Sequence, residues 1–293
     1  MKKAISVILS LVLMMSIFTA CSKAEDKDKN VTENMTITID SHYSSMDSSV
    51  VRAYEKLCNA VIAGEKEVKF NAALSDDVYQ LFYTCFPLYA LVDGVKTLDD
   101  MSGASITYKN SDEEHQKLVS EFCAKLEEIK AACEYGSVNI SRYVFNVYDY
   151  IVKNIKIDNS VVSAFDTMMQ GKGCPAAICS VFEYLVLQGG GNASHVSSAL
   201  EIVSYAQFMG KWYYFNPSLD ISDSEEKTLK GFAMDSKRAG GMLFFYTDSV
   251  QTDKVEDKTY DTLENSVSYM PESDEINVSL SDGKNFILNF NEK

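Results

Sequence analysis

The chain has 293 residues, 27 basic against 42 acidic, and a formal charge of −15. That excess of carboxylates excludes nucleic acid and anionic lipid surfaces as favoured partners, because the field of the protein repels polyanions. With 46% hydrophobic residues, the about 250 positions beyond the N-terminal region can bury one good-sized core or two small ones.

The opening MKKAISVILSLVLMMSIFTACS places Lys2 and Lys3 before an apolar run from Ala4 to Ile17, followed by small residues and Cys21. This is the plan of a secretory signal over residues 1–20. The run is shorter than the about 20 residues a membrane span requires. Its Phe18-Thr19-Ala20-Cys21 ending resembles a bacterial lipoprotein box. The resemblance implies that Cys21 is acylated on sulfur and anchors an exported chain on the outer face of the cytoplasmic membrane, the membrane being touched only through the lipid. Without residues 1–20 the chain keeps 25 basic and 42 acidic residues, a charge of −17. Residues 21–46 begin with the polar SKAEDKDKNVTENMT after the cysteine and read as a disordered tether.

Residues 47–110 read as a helical extension. SSVVRAYEKLCNAVIA at 48–63 puts Val51, Tyr54, Leu57, Cys58 and Val61 on one helical stripe. The aromatic segment from Ser75 to Leu91 follows, bent at Pro87, and SITYKN is a short strand. Residues 111–245 read as the core. Val119, Phe122, Cys123, Leu126, Ile129 and Cys133 line one helix, and Val144, Val147, Tyr148, Ile151, Val152 and Ile155 line the next. A third helix is expected over 171–188, with Pro175 in its first turn. HVSSALEIVSYAQF, KWYYFNPS and GMLFFYTD then read as strands. Residues 246–293 add a C-terminal β segment with a hairpin turn at Ser281-Asp282-Gly283-Lys284. Helices first and antiparallel strands afterwards predict an α+β fold.

Six cysteines beyond Cys21 match no zinc spacing, and the chain has three histidines, so no metal and no cofactor is expected. His42, in or near the tether, and His115, among charges at a helix start, receive no role. Gly189, Gly190 and Gly191 lack the setting of a phosphate loop.

Three stretches resemble the transglutaminase-like superfamily, papain-fold enzymes with a Cys-His-Asp triad. YDYIVKNIKID at 148–158 is similar to the helix before the family's active site, GKGCPAAICSVFEYLVLQGG to its nucleophile helix, and GKWYYFNPSLD at 210–220 to its "GKWY–DPTWD" strand. The likeness covers roughly residues 48 to 245 and implies a papain-like core with an N-terminal helical extension. Laying Phe182, Leu185 and Val186 on the family's phenylalanine and aliphatic pair puts Pro175 on the nucleophile and Cys174 one residue early. Asn216 falls on the acid, and fifteen residues before it, where the family has histidine, stands Glu201. Proline has no nucleophile and glutamate cannot take a thiol proton as imidazole does. The resemblance therefore implies a fold kept and its chemistry lost.

The expected function is a surface-anchored binding or scaffold module. Its former cleft would take a protein, peptide or cell-wall glycan against Glu201, Asn216, Trp212 and Tyr214. The alternative is an active cysteine protease or acyl transferase with Cys174 as nucleophile, His195 as base and Asn216 or Asp220 orienting it. A solute-binding lipoprotein would share the anchor, but no two-lobed α/β alternation is visible.

Overall fold

A computed structural model describes residues 35–70, 74–271 and 275–291. The expected signal, Cys21 and most of the tether lie outside them. The described residues fold as α+β, the class expected from the order of elements. Six α-helices run in chain order: α1 (Ser48–Ala63), α2 (Asp76–Cys85), α3 (Asp112–Ala132), α4 (Ile140–Asn154), α5 (Ala164–Gln170) and α6 (Pro175–Gln188). No helix among the described residues is long and apolar enough to cross a membrane.

The helices start where side chains can satisfy free backbone donors. Asp47, Ser75, Ser111, Asn139 and Ser163 accept an N–H of the first turn of α1 to α5 in that order, and Cys174 does so for α6 through its sulfur. α1 ends at Gly64 and α5 at Gly171, both with the positive φ that glycine adopts most cheaply. The helix expected over 171–188 begins at Pro175. Lys172 and Gly173 instead form a short strand, β5, parallel to β4 (Lys156–Ile157).

β1 (Glu67–Lys69), β2 (Val92–Thr97) and β3 (Gly103–Tyr108) form a small antiparallel sheet beside α1; of these, only β3 is expected from the sequence. The central sheet has the order β8-β7-β6-β9, from β6 (Ala193–Ser197), β7 (Ile202–Phe208), β8 (Lys211–Phe215) and β9 (Phe245–Tyr246). HVSSALEIVSYAQF is thus two strands, divided where the Ser198 N–H and hydroxyl meet the Glu201 carbonyl. β10 (Ser266–Pro271), β11 (Glu275–Leu280) and β12 (Asn285–Asn289) form a third antiparallel sheet, with the hairpin turn at its expected place between β11 and β12. That sheet docks on α4, where Tyr269 donates to Asp149 and Asn139 donates to the Phe290 carbonyl.

α6 is apolar nearly all round and buried: Ile178, Cys179, Val181, Phe182, Leu185 and Val186 have no exposed surface. The central sheet covers one side of it and α4 and α5 pack on others. Residues 35–46 belong to this body rather than to a tether. Thr36 exchanges two hydrogen bonds with Gln188, Tyr54 donates to the Thr38 carbonyl, and Asp40 is 1% exposed. We call residues 35–46 the strap.

Asp220 holds the irregular chain after β8. Its carboxylate accepts from the Tyr148 and Thr228 hydroxyls and from the Lys230 and Gly231 N–H groups, and only 2% of the residue is exposed. Gly231 is required beside it, because a Cβ there would stand 2.1 Å from the Asn216 carbonyl oxygen. Asp220→Ala leaves four donors facing a cavity and should destabilise the fold by about 3 kcal/mol or more. A urea-unfolding loss below about 1 kcal/mol would contradict this role for Asp220.

Candidate functional site

The end of β8 brings two of the expected residues together. Asn216 is 4% exposed, and its side-chain amide donates to the Glu201 carboxylate at 3.3 Å. Its oxygen accepts from the Ser218 hydroxyl at 2.6 Å and from the Cys179 thiol at 3.8 Å. Glu201 itself is exposed, so the pair has one buried member and one facing water. Around it Leu200 and Leu219 are exposed, and Val162 is exposed beside the Cys174 end of α6.

Cys174 caps α6 half-exposed. Its N–H donates to the Val161 carbonyl and its sulfur accepts from the Ala177 N–H at 3.5 Å. Gly173 precedes it because a Cβ there would strike the Thr167 hydroxyl at 2.3 Å. Pro175 stands exposed at the first helical position, where its missing N–H costs nothing. The thiol near Asn216 is that of Cys179, and burial pushes it up to about 12, so it is protonated at neutral pH and no nucleophile. Among the described residues the six cysteines are free thiols.

The alternative triad does not assemble. His195 lies on β6 opposite Ser204, and its Nδ1 is 3.4 Å from the Glu183 carboxylate. Glu183 is nine residues along α6 from Cys174, about 13 Å of helix rise. Among the described residues no hydrogen bond joins His195 to Cys174 or to Asn216. Asp220, the other orienting candidate, is committed to the loop that it holds.

Trp212 and Tyr214 are also not partners of Glu201 and Asn216. The register pairs Tyr205 with Tyr214 and Gln207 with Trp212 on one sheet face, and Ser204 with Phe215 on the other. The second face meets α6: the Ser204 hydroxyl donates to the Cys179 carbonyl, and the Phe215 ring stacks on Phe182 at 5.0 Å. Trp212 stacks on Tyr205 at 4.9 Å, and Tyr214 packs against Phe244 and bonds Thr252, on the opposite side of the sheet. Of residues 212–215, Tyr213, Tyr214 and Phe215 are buried and Trp212 is half-buried.

A second polar cluster lies farther along α6. The Asp40 carboxylate accepts from the His195 N–H at 2.7 Å and the His42 N–H at 2.8 Å, and the Asp40 N–H donates to the Cys85 sulfur. Burial, reinforced by Glu183, pushes Asp40 up to about 7. Burial pulls the His195 imidazole down, but the Glu183 hydrogen bond and charge and the Asp40 charge together hold it above its ordinary value. His42 bonds Asp248 at 2.8 Å and stacks on Tyr246, and the His115 ring is buried against the Val61 carbonyl, so both have structural partners. Sequence reasoning passed over Glu183 and Asp40. The available signal was Glu183 as the one charged residue within PAAICSVFEYLVLQ.

No family model matches the sequence, and no curated protein matches it. Among solved structures the chain is similar to a "putative protease" from Parabacteroides distasonis ATCC 8503, at 13% identity and a TM-score of 0.33 over 55% of this chain and 34% of that one. It is also similar to a "putative cysteine protease" from Cytophaga hutchinsonii, at 20% identity and a TM-score of 0.27 over 45% of this chain and 50% of that one. The chain thus spans a third to a half of the length of these two proteins.

The cluster has a pH signature. From about pH 4 to pH 7 the folded chain holds a proton on Asp40 that the unfolded chain releases, so stability from this site falls as pH rises through that window. His195 acts in the same direction: its contribution is present below 6.5 and is lost as pH rises through its raised folded pKa. Asp40→Asn should flatten the pH slope of unfolding free energy between pH 4 and 6, removing up to about 4 kcal/mol of variation across the whole window. An unchanged slope in urea titrations at a series of pH values would refute this.

Proposed function

We propose that this chain is a lipid-anchored surface protein whose transglutaminase-like domain has lost thiol chemistry and serves as a binding module. One observation carries the reading. Asn216 ties Glu201 to a buried, protonated Cys179, while Cys174 meets only backbone and His195 is paired to Glu183 far along α6. Among the described residues no base stands beside Cys174, so a Cys-His mechanism lacks its proton acceptor. What the end of β8 presents is the exposed Glu201 carboxylate, held by a buried amide, with Leu200 and Leu219 exposed nearby in the chain. That combination suits a protein or peptide segment, or a cell-wall glycan, offering donors beside an apolar face. The anchor is Cys21, and its lipid places the domain outside the cytoplasmic membrane.

Cys174→Ala should be indistinguishable from the parent in hydrolysis of casein and in amine crosslinking, and iodoacetamide should label Cys174 no faster than an ordinary thiol. A thiol-dependent activity that disappears in Cys174→Ala would overturn the binding reading. Metabolic labelling with palmitate should mark the parent and not Cys21→Ala; equal labelling of both would remove the anchor.

A further inference from the structure

Glu183 faces a cavity that the cleft reading does not use. The cavity has a volume of about 60 Å³ and is lined by Tyr83, Thr84, Cys85, Tyr89, Ser180 and Glu183 among others. It lies between the C-terminal end of α2, the Pro87–Leu91 turn, the start of α5 and the Ser180-Glu183-Tyr184-Leu187 stripe of α6. It can hold several water-sized groups.

Three features of its wall favour positive charge. Glu183 is 3% exposed, its Oε2 has the single 3.4 Å contact with His195, and among the described residues its Oε1 accepts no hydrogen bond. A carboxylate so placed is costly unless a partner supplies donors. α2 ends at Cys85, and among the described residues no hydrogen bond from beyond the helix caps its last carbonyls, so the negative end of its dipole borders the same cavity. Tyr83 and Tyr89 stand in edge-to-face contact at the mouth, 5.6 Å between centroids, with Tyr83 43% exposed; such rings attract organic cations.

We propose that this cavity binds a primary alkylammonium group, with Glu183 as its counter-ion and Tyr83 and Tyr89 around the methylene stem. A free small amine and a lysine side chain share this chemistry. The groups that bear on Glu183 are Asp40 from the strap, His195 from β6, Cys85 from α2 and Cys179 on its own helix. Burial pushes both thiols up, so they stay neutral. As pH rises past about 7, Asp40 gains charge and His195 loses it. The pocket becomes more negative and the cation binds more tightly.

The test uses the full chain and measures thermal stabilisation and calorimetric binding with n-butylammonium, with Nα-acetyl-lysine methylamide, and with tetramethylammonium and potassium chlorides at equal ionic strength. Expected is saturable binding of a primary ammonium that neither control reproduces, about ten-fold tighter at pH 8 than at pH 6. Glu183→Gln should weaken it about a hundred-fold. If that variant fails to fold, Tyr83→Ala, at an exposed mouth position, should still weaken binding several-fold. Binding of both amines makes the lysine side chain a competent source, and binding of butylammonium alone makes the ligand a free amine. Binding no better than potassium, or binding unchanged in a folded Glu183→Gln or in Tyr83→Ala, would overturn the proposal.

Discussion

Between β8 and β10 the chain runs some fifty residues with little regular structure, the two-residue β9 apart, and two charged side chains, the buried Asp220 and the half-buried Arg238, make that possible. Backbone polar groups in such a stretch need partners other than a ladder. Asp220 supplies the acceptors for one side, gathering a tyrosine from α4, a threonine and two backbone N–H groups. Arg238 supplies donors for the other, reaching the carbonyls of Leu229, Lys230, Ala233 and Tyr260. Burial and the Asp220 charge push the Tyr148 hydroxyl far up, which keeps it a donor. The turn that carries Asn216 is fixed from both ends by this arrangement, through the Asn216 N–H to the Gly231 carbonyl and the Leu219 N–H to the Asn216 carbonyl.

α6 divides the remaining polar chemistry in two. Its first turns face the end of β8, where one buried amide and one exposed carboxylate meet a protonated thiol. Its later turns carry Glu183 into a pocket shared with α2, the Pro87–Leu91 turn and the start of α5. The two places follow one another along one apolar helix, with Cys179 at the first and Glu183, one turn on, at the second. His195 belongs to the second place by its position on β6, although its sequence neighbourhood invites assignment to the first.

The helices over 48–63, 112–132 and 140–154 were legible because their apolar residues recur at helical spacing and polar caps precede them. Glu201 and Asn216 were singled out only through the resemblance, which puts them on its histidine and acid positions; their contact is seen in the structure. Less was legible where burial contradicts composition. The strap looks polar in sequence, yet Thr36, Thr38 and Asp40 find partners on Gln188, Tyr54 and His195 that are remote in the chain. Trp212 and Tyr214 alternate as a strand should, but which face looks at α6 depends on pairing with β7.

The sequence by itself determined the α+β order, the helices over 48–63, 112–132 and 140–154 and the β11–β12 hairpin, because these rest on local periodicity and turn chemistry. Only the tertiary structure decided which acids are buried, that His195 answers to Glu183 rather than to a cysteine, and that Asp220 is an anchor for a loop. Those outcomes depend on desolvation and on partners up to 155 residues apart; no local pattern encodes them.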